Sequence, residues 1–298
     1  MKEGKVSIWV LLICLFLVYP VAAHAQKRPA AAGPVSAQDK ARAELSRQEQ
    51  LNYELVNAIA ADNRSMILKA LSNGANINSR DSEGITPLMH AVLRGNPETV
   101  DLLLSKGANL NVTDIFGTTA LMQAAWAGHV QIVRTLMERG ANPDLQSTIE
   151  VPSLKKKGVN ALMGASMNGN VEVMKLLLFR EVKINQQDAE GQTALMYAAH
   201  YGHPAAVELL LAQGAKPEIK DQFGRTALTV ATIQGKVDVV RVLLAAGANP
   251  HAKDIHNLKP IVYASAFDQG EIYMMLKTAM SRKASAARGD NFRRSPLD

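Results

Sequence analysis

The chain has 298 residues, a formal net charge of +6, 47% hydrophobic and 5% aromatic residues, and one cysteine. A single thiol, Cys14, excludes an internal disulfide and a multi-cysteine zinc site. The positive excess is confined to the flanks, because residues 51–280 carry 21 Lys/Arg and 21 Asp/Glu. A uniformly basic, nucleic-acid-reading body is therefore excluded.

In chain order, the first segment reads as a secretory signal peptide. Lys2 and Lys5 make a basic start, Ile8 to Tyr19 is apolar, and Ala23-His24-Ala25 places small residues at the cleavage positions. Cleavage is expected after Ala25, so residues 1–25 leave the mature chain and take Cys14 with them. The apolar run is shorter than the roughly 20 residues a spanning helix needs. Periplasmic or secreted localisation is the corresponding expectation.

Residues 26–47 follow as a linker and a leader. Gln26 to Val35 is rich in Ala, Pro and Gly, and Ser36 followed by Asp39 is a capping-box-like start for a helix from Ala37 toward Gln50.

From Gln48 the chain repeats itself. Gly84, Gly117, Gly158, Gly191 and Gly224 stand 33, 41, 33 and 33 residues apart. A second series, Gly74, Gly107, Gly140, Gly214 and Gly247, keeps the same step, with Glu181 in the remaining place. Such a period marks a solenoid, in which each unit buries its apolar face only against its neighbours. The units read Gln48–Arg80, Asp81–Thr113, Asp114 to about Ser147, Lys155–Gln187, Asp188–Lys220, Asp221–Lys253, and a partial one from Asp254 to about Met280.

Within a unit each position has a physical task. Asp81, Asp114, Asp188 and Asp221 cap a turn, and the Gly three residues on supplies positive φ. Thr86, Thr119, Thr193 and Thr226 cap a first helix whose small residues, such as Ala91, Ala124 and Ala198, permit close helix approach. Gly95, Gly128, Gly169, Gly202 and Gly235 end that helix. A second helix carries a bulkier ridge, as in Leu102-Leu103-Leu104 and Leu209-Leu210-Leu211.

These units resemble ankyrin repeats, most closely in the stretch Asp188 to Lys220, reading DAEGQTALMYAAHYGHPAAVELLLAQGAKPEIK. The resemblance covers residues 48–280. It implies an all-α ankyrin-repeat solenoid of about seven helix-turn-helix units with hairpin loops, and a role in protein–protein recognition. The family's Thr-Pro-Leu-His histidine is replaced by Met89, Met122, Met163 and Met196, then by Thr229 and Val262; methionine fills the space without the hydrogen bond. Asn257 stands where the last finger glycine belongs, and Asn tolerates the left-handed region.

Between residues 147 and 157 the chain is eight residues longer than the period allows. This insertion, ending in Lys155-Lys156-Lys157, lengthens one finger, either as part of a binding face or as a tolerated surface loop. The tail, residues 281–298, carries five Lys/Arg against two Asp/Glu and reads as basic and disordered.

No catalytic constellation emerges. Gly164-Ala165-Ser166-Met167-Asn168 lacks the final glycine of a nucleophile elbow, and Ser166 falls within a helix. His200 and His203 have a metal-compatible spacing, yet His203 occupies a repeat position shared with His129. No catalytic, cofactor-binding or metal-binding residue is expected, and no small-molecule substrate. What remains is a surface. Solvent-facing positions of the first helix read Leu93, Arg94, Trp126, Met167, Asn168, His200, Tyr201, Ile233, Gln234 and Phe267. Finger-tip positions add Ile115, Phe116, Lys156, Lys157, Glu190, Phe223, Ile255 and His256. Phe116, Trp126, Met167, His200, Tyr201, Phe223 and Ile233, with Lys156 and Lys157, form the expected docking set for a protein partner. The alternative is an exported accessory or effector protein tethered to an anionic membrane or nucleic acid through the basic flanks.

Overall fold

The computed structural model describes residues 37–148, 157–180 and 182–292. The signal segment, the linker, Lys156 and residues 293–298 lie outside the described residues. Among the described residues there are fourteen helices and no strand, with one isolated bridge between Thr113 and Thr119. Taken by itself, the part from Ser46 onward is a single file of antiparallel helix pairs.

The pairs are α1 (Ala37–Ala60) with α2 (Arg64–Ser72), α3 (Pro87–Arg94) with α4 (Pro97–Ser105), and α5 (Ala120–Ala127) with α6 (Val130–Glu138). They continue as α7 (Ala161–Met167) with α8 (Val171–Leu178), α9 (Ala194–Tyr201) with α10 (Pro204–Ala212), α11 (Ala227–Ile233) with α12 (Val237–Ala245), and α13 (Pro260–Ala266) with α14 (Gly270–Phe292). From the second unit onward, each first helix packs on the first helices of its neighbours, and each second helix does the same.

The anticipated local chemistry is present. The side chains of Thr86, Thr119, Thr193 and Thr226 accept hydrogen bonds from the backbone N–H three residues on, and Asn160 does so in the fourth unit. Left-handed residues close the first helices at every unit. Asp62 and Asp268 serve where the first and last units lack the glycine, and Asn257 has φ 63°. Met89, Met163 and Met196 are buried and fill the junctions between units.

Neighbouring units are stitched by polar ladders as well as by apolar packing. The side-chain oxygens of Asn78, Asn111 and Asn185 accept from the backbone N–H of Asn109, Asn142 and Lys216 in the following unit. One backbone bond joins each finger to the next, as in Ile115 N–H to Glu83 O (3.0 Å) and Gln222 N–H to Glu190 O (2.8 Å).

Three boundaries differ from the sequence reading. The leader and the first helix of the first unit are one continuous helix, α1, because no Pro or Gly interrupts residues 37–60. At the other end α14 passes the expected limit at Met280 and continues to Phe292 through Ala, Lys and Arg, which are good helix formers. The fourth unit begins at Ser147 rather than Lys155. Ser147 N–H donates to Val159 O (3.0 Å) and Ser147 Oγ accepts from Val159 N–H (3.0 Å), the two bonds made by the aspartate elsewhere. Thr148 N–H donates to Phe116 O, and Ala189 N–H to Lys157 O. The eight extra residues, 149–156, therefore enter within a finger whose two strands keep the regular stitching.

Candidate functional site

The fingers and the outer ends of the first helices form a shared surface whose foundation is a row of aspartates. One oxygen of Asp188 accepts from the N–H of Glu190 (2.9 Å) and Gln192 (2.7 Å). The other accepts from the Tyr197 hydroxyl at 2.5 Å. Burial and that bond push the Tyr197 phenol well above its ordinary value, so it stays protonated. Asp254 repeats the arrangement with His256, Leu258 and Tyr263. There, burial and the bond to Asp254 push Tyr263 up to about 12. Burial alone would raise the Asp254 carboxyl, but the bonds it accepts from Tyr263, Leu258 and His256 outweigh this and hold it below the usual carboxylate range. In the second unit His90 Nε2 takes the tyrosine's place, 3.1 Å from Asp81. These contacts tie the second, fifth and seventh fingers to their own first helices.

Between the fifth and sixth units lies a shallow cleft of about 160 Å³, lined by Glu190, Tyr197, His200, Tyr201, Arg225 and Ile233. It is smaller than the roughly 300–1,000 Å³ of small-molecule sites. Tyr201 is 47% exposed and meets His200 edge-to-face with ring centroids 4.8 Å apart. Arg225 is held by Asp221 at 2.7 Å and lies 4.6 Å from the Phe223 ring centroid, a cation–π contact that fixes the aromatic tip. The structure thus brings His200, Tyr201 and Ile233 into one cleft, with Phe223 beside it.

The other members of the expected set fall elsewhere. Met167 is 4% exposed and does not meet solvent, which removes it from the docking set. Its helix, α7, ends there, one residue earlier than α5 and α9, and the side chain joins the core. Trp126 is half-buried and lies against the next unit: a Cβ on Gly164 would sit 3.6 Å from the Trp126 Cβ, an ordinary contact. Phe116 is half-buried, and its carbonyl accepts from Thr148 N–H of the next finger. Lys157 is exposed in the fourth finger.

Arg225 was missed in the sequence, although its signal was legible: Asp221 and Arg225 stand four residues apart across a finger turn. Val262, now 43% exposed, was also missed. The equivalent positions, Met89, Met122, Met163, Met196 and Thr229, are all buried by a following unit.

For chemistry beyond recognition the site holds little. His203 Nε2 is 2.9 Å from the Met167 carbonyl, a structural bridge between units. Among the described residues no group of three His, Cys, Asp or Glu side chains is placed to hold a metal, and no helix is long and apolar enough to cross a membrane.

A family model described as ankyrin repeats, three copies, matches residues 55–147 and 162–254. Among solved structures, the chain is similar to the human ASB11 ankyrin repeat domain, with 25% identity and a TM-score of 0.67 over 76% of this chain and 96% of that one. It is also similar to the ankyrin repeat domain of Bcl-3, a member of the IkappaB protein family, with 25% identity and a TM-score of 0.64 over 75% of this chain and 97% of that one. No curated protein matches the chain.

Proposed function

The chain belongs to the ankyrin-repeat family, whose repeats are general protein–protein interaction modules, and on that premise we propose that it is a non-enzymatic scaffold docking a protein partner on its fingers and first-helix ends. The observation that carries this reading is the cleft of the fifth and sixth units. There Tyr201, His200, Ile233 and Phe223 present aromatic and aliphatic surface on a frame already locked by Asp188, Tyr197, Asp221 and Arg225. Aromatic anchors on a pre-formed surface lose little ordering entropy on binding, so contact area converts efficiently into affinity. Phe116, Trp126 and Lys157 extend the surface toward the second unit. The partner is met after export: the segment before Gln26 directs secretion and is removed, placing the scaffold in the periplasm or outside the cell.

The test is a double substitution, Tyr201→Ala with Ile233→Ala, assayed by pull-down from a periplasmic or culture extract. Capture is expected to fall at least about tenfold, as loss of a hot-spot pair predicts. The melting temperature is expected to move by less than about 4 °C, since Tyr201 is exposed and Ile233 half-buried. Unchanged capture would refute the reading; a collapse in melting temperature would reassign both residues to the core.

A further inference from the structure

The fingers of the sixth and seventh units set exposed apolar tips beside exposed lysines. Phe223 and Ile255 are 42% and 60% exposed, and Ile255 N–H donates to Phe223 O at 3.0 Å, so the two side chains stand on adjacent, stitched tips. Beside them Lys220 and Lys253 are both exposed, with Lys220 Nζ 2.7 Å from the Lys253 carbonyl. The carboxylates of the same fingers point inward. Asp221 receives the N–H groups of Phe223 and Arg225 and the Arg225 guanidinium. Asp254 receives His256, Leu258 and Tyr263. Glu218, the acid of the preceding loop, accepts from Asn249 N–H at 2.7 Å. Two apolar tips are thus flanked by two exposed lysines; the neighbouring Asp221, Asp254 and Glu218 are buried or hydrogen-bonded, and Glu190 of the preceding finger is half-buried in the cleft with Arg225. In the second finger, by contrast, exposed Arg80 has the exposed carboxylate of Glu83 at its own tip.

We propose that this two-finger surface takes an acidic segment of the protein partner, with carboxylates over Lys220 and Lys253 and one or two apolar side chains against Phe223 and Ile255. The proposal rests on the scaffold reading above and names the chemistry of its partner. A nucleic acid supplies the anions but not the aliphatic groups that would cover Ile255. An anionic bilayer gains only about 1 kcal/mol per surface lysine, and two lysines are too few to hold a protein there.

The experiment places the photo-crosslinking residue p-benzoylphenylalanine at the exposed tip position Gln222 of the full chain, in the cells that produce it. The crosslinked peptide is then identified by mass spectrometry. A peptide with excess Asp and Glu and at least one aliphatic or aromatic residue is expected. The adduct should fall more than tenfold in Lys220→Glu with Lys253→Glu, and persist in Lys220→Arg with Lys253→Arg. Circular dichroism should show both double variants folded, because both lysines are exposed and the fingers are joined through backbone groups. A peptide without acidic excess, an adduct with lipid or nucleic acid, an adduct indifferent to charge reversal, or no adduct at all would overturn the proposal. The Tyr201→Ala and Ile233→Ala pull-down stays informative in each case, so failure of the acidic-segment proposal is distinguishable from failure of the scaffold reading.

Discussion

The finger glycines illustrate how a single missing side chain governs contact between units. Gly191 has φ +78°, and a Cβ there would lie 3.1 Å from both Asp221 Cα and Gln222 N. Gly107 has φ +91°, with nothing within 4 Å of a Cβ. Alanine at Gly107 therefore meets only the left-handed penalty of about 1–2 kcal/mol. Alanine at Gly191 meets that penalty and must also push the next finger away, loosening the 2.8 Å bond from Gln222 N–H to Glu190 O. Gly191→Ala is expected to cost about 3 kcal/mol or more, clearly beyond Gly107→Ala, in matched urea unfolding. Equal losses would show that the fingers yield freely.

For the elements, an internal helix pair of seven to nine residues each is too short to persist alone in water, since isolated helices below about 12–15 residues are marginal. Capping by Thr193 and its equivalents, αL closure, and burial of residues such as Leu195 and Leu210 make the pair stable only inside the stack. The same logic explains why the fourth finger accepts eight extra residues. Its stitching runs through Ser147, Thr148, Lys157 and Val159, all outside the insertion. Deleting residues 149–156 joins Thr148 to Lys157 and restores the 33-residue step. The melting temperature is expected to hold or rise slightly, because shortening a loop lowers its closure entropy by well under about 1 kcal/mol. A fall of more than about 4 °C in calorimetry would mean that the insertion packs on the stack.

At the scale of the whole molecule, large exposed apolar residues occur in the first unit (Tyr53, Met66, Leu68) and the fourth (Phe179), but on the finger tips and first-helix ends they are Ile115 in the third unit and Tyr201, Phe223, Ile255 and Phe267 in the last three. The proposed docking surface lies in the C-terminal units, with both the cleft and the lysine-bearing fingers. The proposed export rests on the other end of the chain. If the first segment is a cleaved signal, the mature chain begins at Gln26, and intact-mass measurement of protein recovered from outside the cytoplasm should show the loss of residues 1–25. Recovery of the intact chain, still beginning at Met1, would refute cleavage.

The repeat, its period, the caps and the αL closures were legible in the sequence, because each depends on backbone conformation set by a few adjacent residues: Thr86, Gly95 and Asn257 declare their conformations locally. The start of the fourth unit was not, since Ser147 replaces aspartate and only its bonds to Val159, twelve residues on, reveal the substitution. Among the expected docking residues, His200, Tyr201, Ile233 and Phe223 converge, while Met167 does not. Whether a side chain at the end of a short helix faces water depends on what the next unit places over it, and a periodic pattern carries no information about that neighbour. Identity along one chain determined the architecture; contact between successive units decided which parts of it remain exposed.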